Sequence, residues 1–158
     1  MTVSYEGATE PIRQIMHHHA VLRRGLERRT GALCAAVDEG SGYERALADL
    51  REYLAGEIMP HAEAEERTLY RAAVTQARGS QLVRNLTAEH HELAGLVGRL
   101  GAETGGPAAA TVAEWIATLF AGHVAKENDL LLPALTGSGA DLAALLGEMH
   151  QQPAGGHA

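Results

Sequence analysis

Two segments of the sequence place a histidine four residues before a glutamate: His61 with Glu65 in "PHAEAEERTLY", and His123 with Glu127 in "GHVAKENDLLL". Two more carry histidine runs, "MHHHAVL" (His17, His18, His19) and "EHHEL" (His90, His91). Imidazole and carboxylate without thiolate form a donor set for iron, manganese or zinc rather than for copper(I) or an iron–sulfur cluster. Whether these residues can act together depends on which of them face inward.

On an α-helix the positions −7, −4, +3 and +7 share a face with the residue between them. Around His19 they hold Ile12, Ile15, Leu22 and Leu26, and around His90 they hold Val83, Leu86, Leu93 and Val97. Around His18 they are Pro11, Gln14, Val21 and Gly25, and around His91 they are Arg84, Thr87, Ala94 and Gly98. His19 and His90 are therefore the inward members of their runs. The pair His61 and Glu65 is flanked by Leu54, Ile58 and Leu69, and the pair His123 and Glu127 by Ile116, Leu119, Phe120, Leu130 and Leu131. The order His, H-x-x-x-E, His, H-x-x-x-E reads as an internal repeat.

A lone inward histidine is more often a hydrogen-bonded core residue than a ligand. Four imidazoles and two carboxylates on apolar faces, however, are expensive to bury unpaired, and a metal centre accounts for all six together. Two half-sites imply two metals, with Glu65 and Glu127 bridging and each metal taking one His from each kind of helix. The remaining histidines receive lesser roles: His17, His18 and His91 face solvent or flank the ligands, His150 packs or hydrates, and His157 lies in the tail. Tyr53, Tyr70 and Trp115 are assigned to core or rim packing, and Cys34 to an inert buried thiol. Glu63 and Glu66 are placed outside, with Glu66 able to accept a hydrogen bond from a ligand. No separate general acid or nucleophile is identified.

The elements that must position these residues follow from periodicity and punctuation. A first helix is expected from Thr9 as N-cap through about Val37. A second opens with a Ser41–Glu44 capping box after "EGSG" and runs to about Ala77. Ser80 caps a third that ends near Leu100, and after the loop "GAETGGPA" a fourth runs from about Ala108 to Leu135. A short fifth helix spans Asp141 to about Gln151, and "QQPAGGHA" supplies a disordered tail over 152–158. The expected fold is all-α: an up-down-up-down four-helix bundle over about 9–135, with a short C-terminal helix over about 141–151, in one domain. Pro60 stands inside the second helix, directly before His61. Its ring and missing N–H predict a kink or local widening there, with Gly56 giving room, and the bend would aim His61 and Glu65 inward.

Composition agrees. The 158 residues suffice for one domain with a full core, and 46% hydrophobic with only 4% aromatic residues favours packed helices. A net charge of −7 argues against nucleic acid or an anionic membrane as partner. One cysteine excludes an internal disulfide and suits a reducing cytoplasm. Neither a signal peptide nor a segment of membrane-spanning length is expected.

Over about Ile12 to Leu135 the sequence resembles the hemerythrin-like (HHE cation-binding) family of non-haem di-iron four-helix bundles. "HAEAEERTLY" and "HVAKENDLLLPAL" are similar to its H-x-x-x-E-E-x-x-L-[YF]-P pattern, and "HHHAVLRRGL" and "EHHELAGLV" to its H-x-x-L segments. The resemblance implies that His19, His61, Glu65, His90, His123 and Glu127 ligate two iron ions joined by an oxo- or hydroxo-bridge. It further implies a small-molecule partner: O2, hydrogen peroxide or nitric oxide. Oxygen carriers of the family add a fifth histidine on the third helix and a bridging aspartate. Here Leu86 and Ala94 stand four residues either side of His90, and Glu127 is the bridge candidate. Turnover of these molecules, as an oxidoreductase, and non-enzymatic sensing or storage of O2, NO or iron both remain open. A structural zinc or metal-free bundle is the third alternative.

Overall fold

The computed structural model describes residues 9–76, 79–102 and 105–151, and among these all regular structure is helical, with no strand. Five helices follow in order: α1 (Glu10–Glu39), α2 (43–74), α3 (Gly79–Ala102), α4 (Gly106–Gly137) and α5 (Leu142–Met149).

Several boundaries differ from those expected, each for a local reason. α1 runs on to Glu39 because Gly40 adopts a left-handed φ of 71° and returns its N–H to the carbonyls of Ala36 and Val37. Thr9 holds the N-cap position of α1 without a side-chain hydrogen bond. The Ser41–Glu44 capping box does not form: Gly42, at φ 74°, is the N-cap of α2, and no side chain caps it. α2 ends at Val74, while Ala77 lies outside the described residues. α3 already begins at Gly79, so Ser80 sits inside it rather than capping it. α3 also continues to Ala102 and α4 begins at Gly106, with Pro107 in its first turn, so the loop between them is much shorter than expected. α4 reaches Gly137. Asp141 caps α5, its carboxylate accepting from Ala144 N at 3.0 Å. The tail 152–158 is outside the described residues.

α2 and α4 are not uniform α-helices. α2 is α-helical over Tyr43–Tyr53, Met59–Glu65 and Arg71–Val74, with π turns at Leu54–Ile58 and Glu66–Tyr70. α4 carries one π turn, Glu127–Leu131, before Leu132–Gly137. Met59 N–H bonds back to Leu54 O, and Leu132 N–H to Glu127 O, the five-residue spacing of a widened turn. The widening expected near Pro60 is therefore present, one turn before His61.

Two apolar clusters fill the interior. One gathers Leu26 and Leu33 of α1, Leu47, Leu50 and Leu54 of α2, Leu100 of α3 and Val112 and Ile116 of α4. The other gathers Ile15, Leu69, Tyr70, Leu86, Leu131 and Leu135, with Leu142 of α5. Arg51 ties α2 to the end of α3 through the Leu100 carbonyl at 2.6 Å. α1 and α2 approach closely where Tyr53 donates to Leu22 O at 3.0 Å, over Gly25. A Cβ on Gly25 would stand 2.2 Å from that hydroxyl. Tyr53 is thus a packing residue, as expected.

Contrary to the sequence expectation, one helix is long and apolar enough to cross a membrane: Gly106–Gly137, with a mean hydropathy of 1.3. Val112, Ala113, Ile116, Phe120 and Val124, which contribute to that value, lie in the first cluster. Trp115 takes the rim position among those expected for it, half exposed and stacked with Arg99. One other placement is corrected. Cys34 is only half-buried, its thiol facing Glu114 at 3.6 Å.

Candidate metal centre

Between the two clusters lies a polar layer. His19 sits between Ile15 and Leu22 of α1, and His61 with Glu65 between Ile58 and Leu69 of α2. His90 lies between Leu86 and Leu93 of α3, and His123 with Glu127 between Phe120 and Leu131 of α4. All six side chains are buried, and Glu127 is 0% exposed. His17, His18 and His91 are exposed, in line with the helical phases.

The six residues form two groups that share Glu65. His19, His61 and Glu65 each offer a donor atom within 4.8 Å of the others, as do Glu65, His90, His123 and Glu127. Glu65 is thus common to both groups, while Glu127 belongs to the second.

Three of the four imidazoles are anchored from behind by a neighbouring helix. His19 donates from Nδ1 to Asn128 Oδ1 at 2.7 Å, His90 to Glu66 Oε1 at 3.0 Å, and His123 to Glu89 Oε2 at 2.7 Å. Lys126 in turn pairs with Glu89. A proton held on Nδ1 leaves the Nε2 lone pair for the interior, the tautomer that metal-binding histidines need. Glu66 fulfils the acceptor role expected of it. Asn128, noted in the sequence as the counterpart of Glu66, was given no role there and Glu89 was not singled out, although a signal existed. Glu66 and Asn128 occupy the same place in the repeat, directly after Glu65 and Glu127, and each reaches the single-histidine helix beside it.

Tyr70 also departs from its expected role. Besides packing in the second cluster, its hydroxyl lies 3.2 Å from His90 Nε2 and 3.1 Å from His123 Nε2, and its ring stacks on His90. It places an oxygen beside the two inward nitrogens of the second group. Leu132 holds the corresponding position in the other half of the repeat, so the two halves differ.

Protonation follows from this crowding. Burial alone would lower His19, but the Glu65 hydrogen bond at 3.0 Å, the charges of Glu65 and Glu127 and the Asn128 hydrogen bond together outweigh that and hold it up at about 9. Burial would raise Glu65, yet the His61 charge and the His19 hydrogen bond keep it well below the usual carboxylate range. Burial, and then the Glu65 charge, push Glu127 up to about 7. Tyr70 is raised, first by burial and then by the two carboxylates.

Even so, the layer does not satisfy itself. His61 Nε2 lies 2.8 Å from Glu65 Oε1, and His123 Nε2 lies 2.8 Å from Glu127 Oε1. Those contacts are too poorly aligned to serve: His61 Nε2, Glu65 Oε2 and both Glu127 oxygens have no hydrogen-bond partner. Orphaned buried polar atoms on this scale are costly, about 1–3 kcal/mol each. Cations coordinated in common by these atoms satisfy them, so the donor set fits metal.

The model of the hemerythrin HHE cation binding domain matches residues 10–151. The chain belongs to the hemerythrin HHE cation-binding family. Comparison with curated proteins and with solved structures gave no match. As a hemerythrin-like protein it is metal-binding, and its buried His/Glu layer is the place where metal fits.

Proposed function

We propose that the protein is a single-domain, cytoplasmic di-iron protein whose centre binds or reacts with O2, hydrogen peroxide or nitric oxide. The ligands are His19, His61, Glu65, His90, His123 and Glu127, with both carboxylates bridging, in a bundle whose four long helices run up-down-up-down. Nucleic acid and membranes are not its partners. The observation that carries this reading is the pair of donor groups sharing Glu65, backed by imidazoles whose Nδ1 atoms are already committed elsewhere. The composition of the two core clusters supports the topology: the start of α1 meets the end of α2 in one, and the end of α1 meets the start of α2 in the other.

When bound, an iron pair supplies the redox capacity that these side chains lack. The side chains have their own tasks. Asn128, Glu66 and Glu89 fix ring orientation, the apolar clusters on either side exclude water, and the Tyr70 hydroxyl holds a proton within reach of His90 and His123 Nε2.

The test is anaerobic purification with ferrous iron, a metal count per chain, and optical spectra on adding O2, peroxide or NO. Two irons per chain are expected, lost in His19→Ala and Glu127→Ala and kept in His18→Ala. Iron lost from His18→Ala but kept by His19→Ala would sink the ligand assignment. Consumption of the added molecule marks an oxidoreductase, whereas a fully reversible spectrum marks a binding or sensing module.

A further inference from the structure

The internal repeat makes the two halves comparable residue by residue, and one position breaks it. Glu89, directly before His90 on α3, clamps His123 Nδ1 on α4. Its counterpart directly before His19 on α1 is His18, which lies against His61 on α2 with ring centroids 5.0 Å apart. Where the second half has a carboxylate acceptor, the first half has another imidazole. His61 is accordingly the one ligand-set histidine whose Nδ1 has no hydrogen-bond partner among the described residues.

Behind His61 lies a cavity of about 210 Å³ instead of a clamp. His18 of α1, Glu57 of α2 and His150 at the end of α5 are on its lining, and all three are exposed. Its α2 wall includes Gly56 and Pro60, so part of it is bare backbone, widened by the π turn Leu54–Ile58. A second, larger cleft of about 760 Å³ reaches His19 between α1 and α4, lined by Arg13, Arg23 and Arg24 against the carboxylates of Glu27 and Asp129. The guanidinium groups outnumber the carboxylates, so this lining is net positive and favours a cation less than the smaller opening does. The smaller opening carries imidazole and carboxylate donors, and His61 on its lining contacts buried Glu65 at 2.8 Å, so the local field draws cations inward.

We propose that the cavity beside His61 is the port through which a divalent cation reaches the buried layer. His18, His150 and Glu57 are its transient ligands, passing the ion to His61, the one imidazole unclamped at Nδ1. This rests on the proposed dinuclear site, and the two can fail separately.

The test follows Co(II) uptake by the full chain in stopped flow, release to a chelator, and the final count of ions. In His18→Ala/His150→Ala, uptake and release should both slow by about tenfold, while the dissociation constant and a final count of two stay as in the wild type. A parallel change in both rates is the signature of a passage; a resident ligand would change affinity instead. Gly56→Val, which puts a branched side chain on the cavity wall, should slow both rates in the same way. His91→Ala, exposed elsewhere, should change neither. Wild-type rates in both the double variant and Gly56→Val overturn the port while leaving the dinuclear reading intact. Loss of bound metal from the double variant overturns it too, since His18 or His150 would then be a resident ligand. A wild-type chain that binds no metal defeats both readings.

Discussion

His19 faces an acceptor from each ring nitrogen, Asn128 at Nδ1 and Glu65 at Nε2, so without an ion it is held doubly protonated. A cation at Nε2 must expel that proton. The folded value of about 9 stands above the ordinary 6.5, so the proton stabilises the metal-free fold below about pH 6.5, and that contribution is lost as pH rises through 9. Metal affinity runs the other way. With Zn(II) as a redox-inert probe, the dissociation constant should fall about tenfold per pH unit between about pH 7 and 9 and level off above. Calorimetry in buffers of different ionisation enthalpy would count the released proton, and a flat profile over that range refutes the protonation scheme. Asn128→Ala removes the acceptor that sets the His19 ring and should weaken metal binding by roughly 10–100-fold with little change in fold. Unchanged affinity would show that Asn128 does not position the ligand. At this scale the sequence disclosed the six buried donors but only part of their support. The six donors fall on apolar stripes that helical phase alone reveals. Asn128, Glu89 and the hydroxyl of Tyr70 act across helix–helix contacts, and the rotation of one helix against its neighbour is not written in either one.

At the scale of elements, the spacing of buried residues explains the π turns. On α1 the buried positions Ile15, His19, Leu22, Leu26, Thr30 and Leu33 advance by about 3.6 residues per step, the natural period. On α2 the buried positions Leu47, Leu50, Leu54, Ile58, His61, Glu65, Leu69 and Ala73 advance by about 3.7. An unbroken α-helix would drift off that stripe, and π turns, which each take up extra residues, restore the phase. Pro60 and Gly56 were legible as a place where the helix must widen. The turns at Glu66–Tyr70 and Glu127–Leu131 were not, because only Pro133 marks either, and it follows its turn. Removing one residue from a π turn should return it to α geometry with both flanks still facing inward. Deletion of exposed Ala55 should therefore leave the fold and the metal count intact. Deletion of exposed Arg24 in α1 turns everything beyond it by about 100° and should abolish both. Circular dichroism and a metal count compare the two variants, and equal damage from both deletions would refute the phase argument.

At the scale of the whole molecule, the polar layer divides the core in two. The cluster around Leu33, Leu50, Leu100 and Val112 gathers the end of α1, the start of α2, the end of α3 and the start of α4, and is the larger among the described residues. The cluster around Ile15, Leu69, Leu86 and Leu131 relies on the first turns of α1 and on the eight-residue α5 to cover it. The layer lies between the two clusters, and without cations it contains orphaned atoms of His61, Glu65 and Glu127. Metal removal should therefore act unevenly. Loading at a free ion concentration a thousandfold above the dissociation constant stabilises the fold by about 4 kcal/mol per ion, on the order of 10 °C in Tm. Chelation should reverse that shift, and local opening should appear before global unfolding. Hydrogen exchange of the metal-free chain should show early loss of protection at Ile15, Leu69, Leu86, Leu131 and throughout α5. Protection at Leu33, Leu50, Leu100 and Val112 should persist until global unfolding. Simultaneous loss in both clusters would mean that the layer transmits rather than divides, and the reverse order would place the weaker half at the connected end.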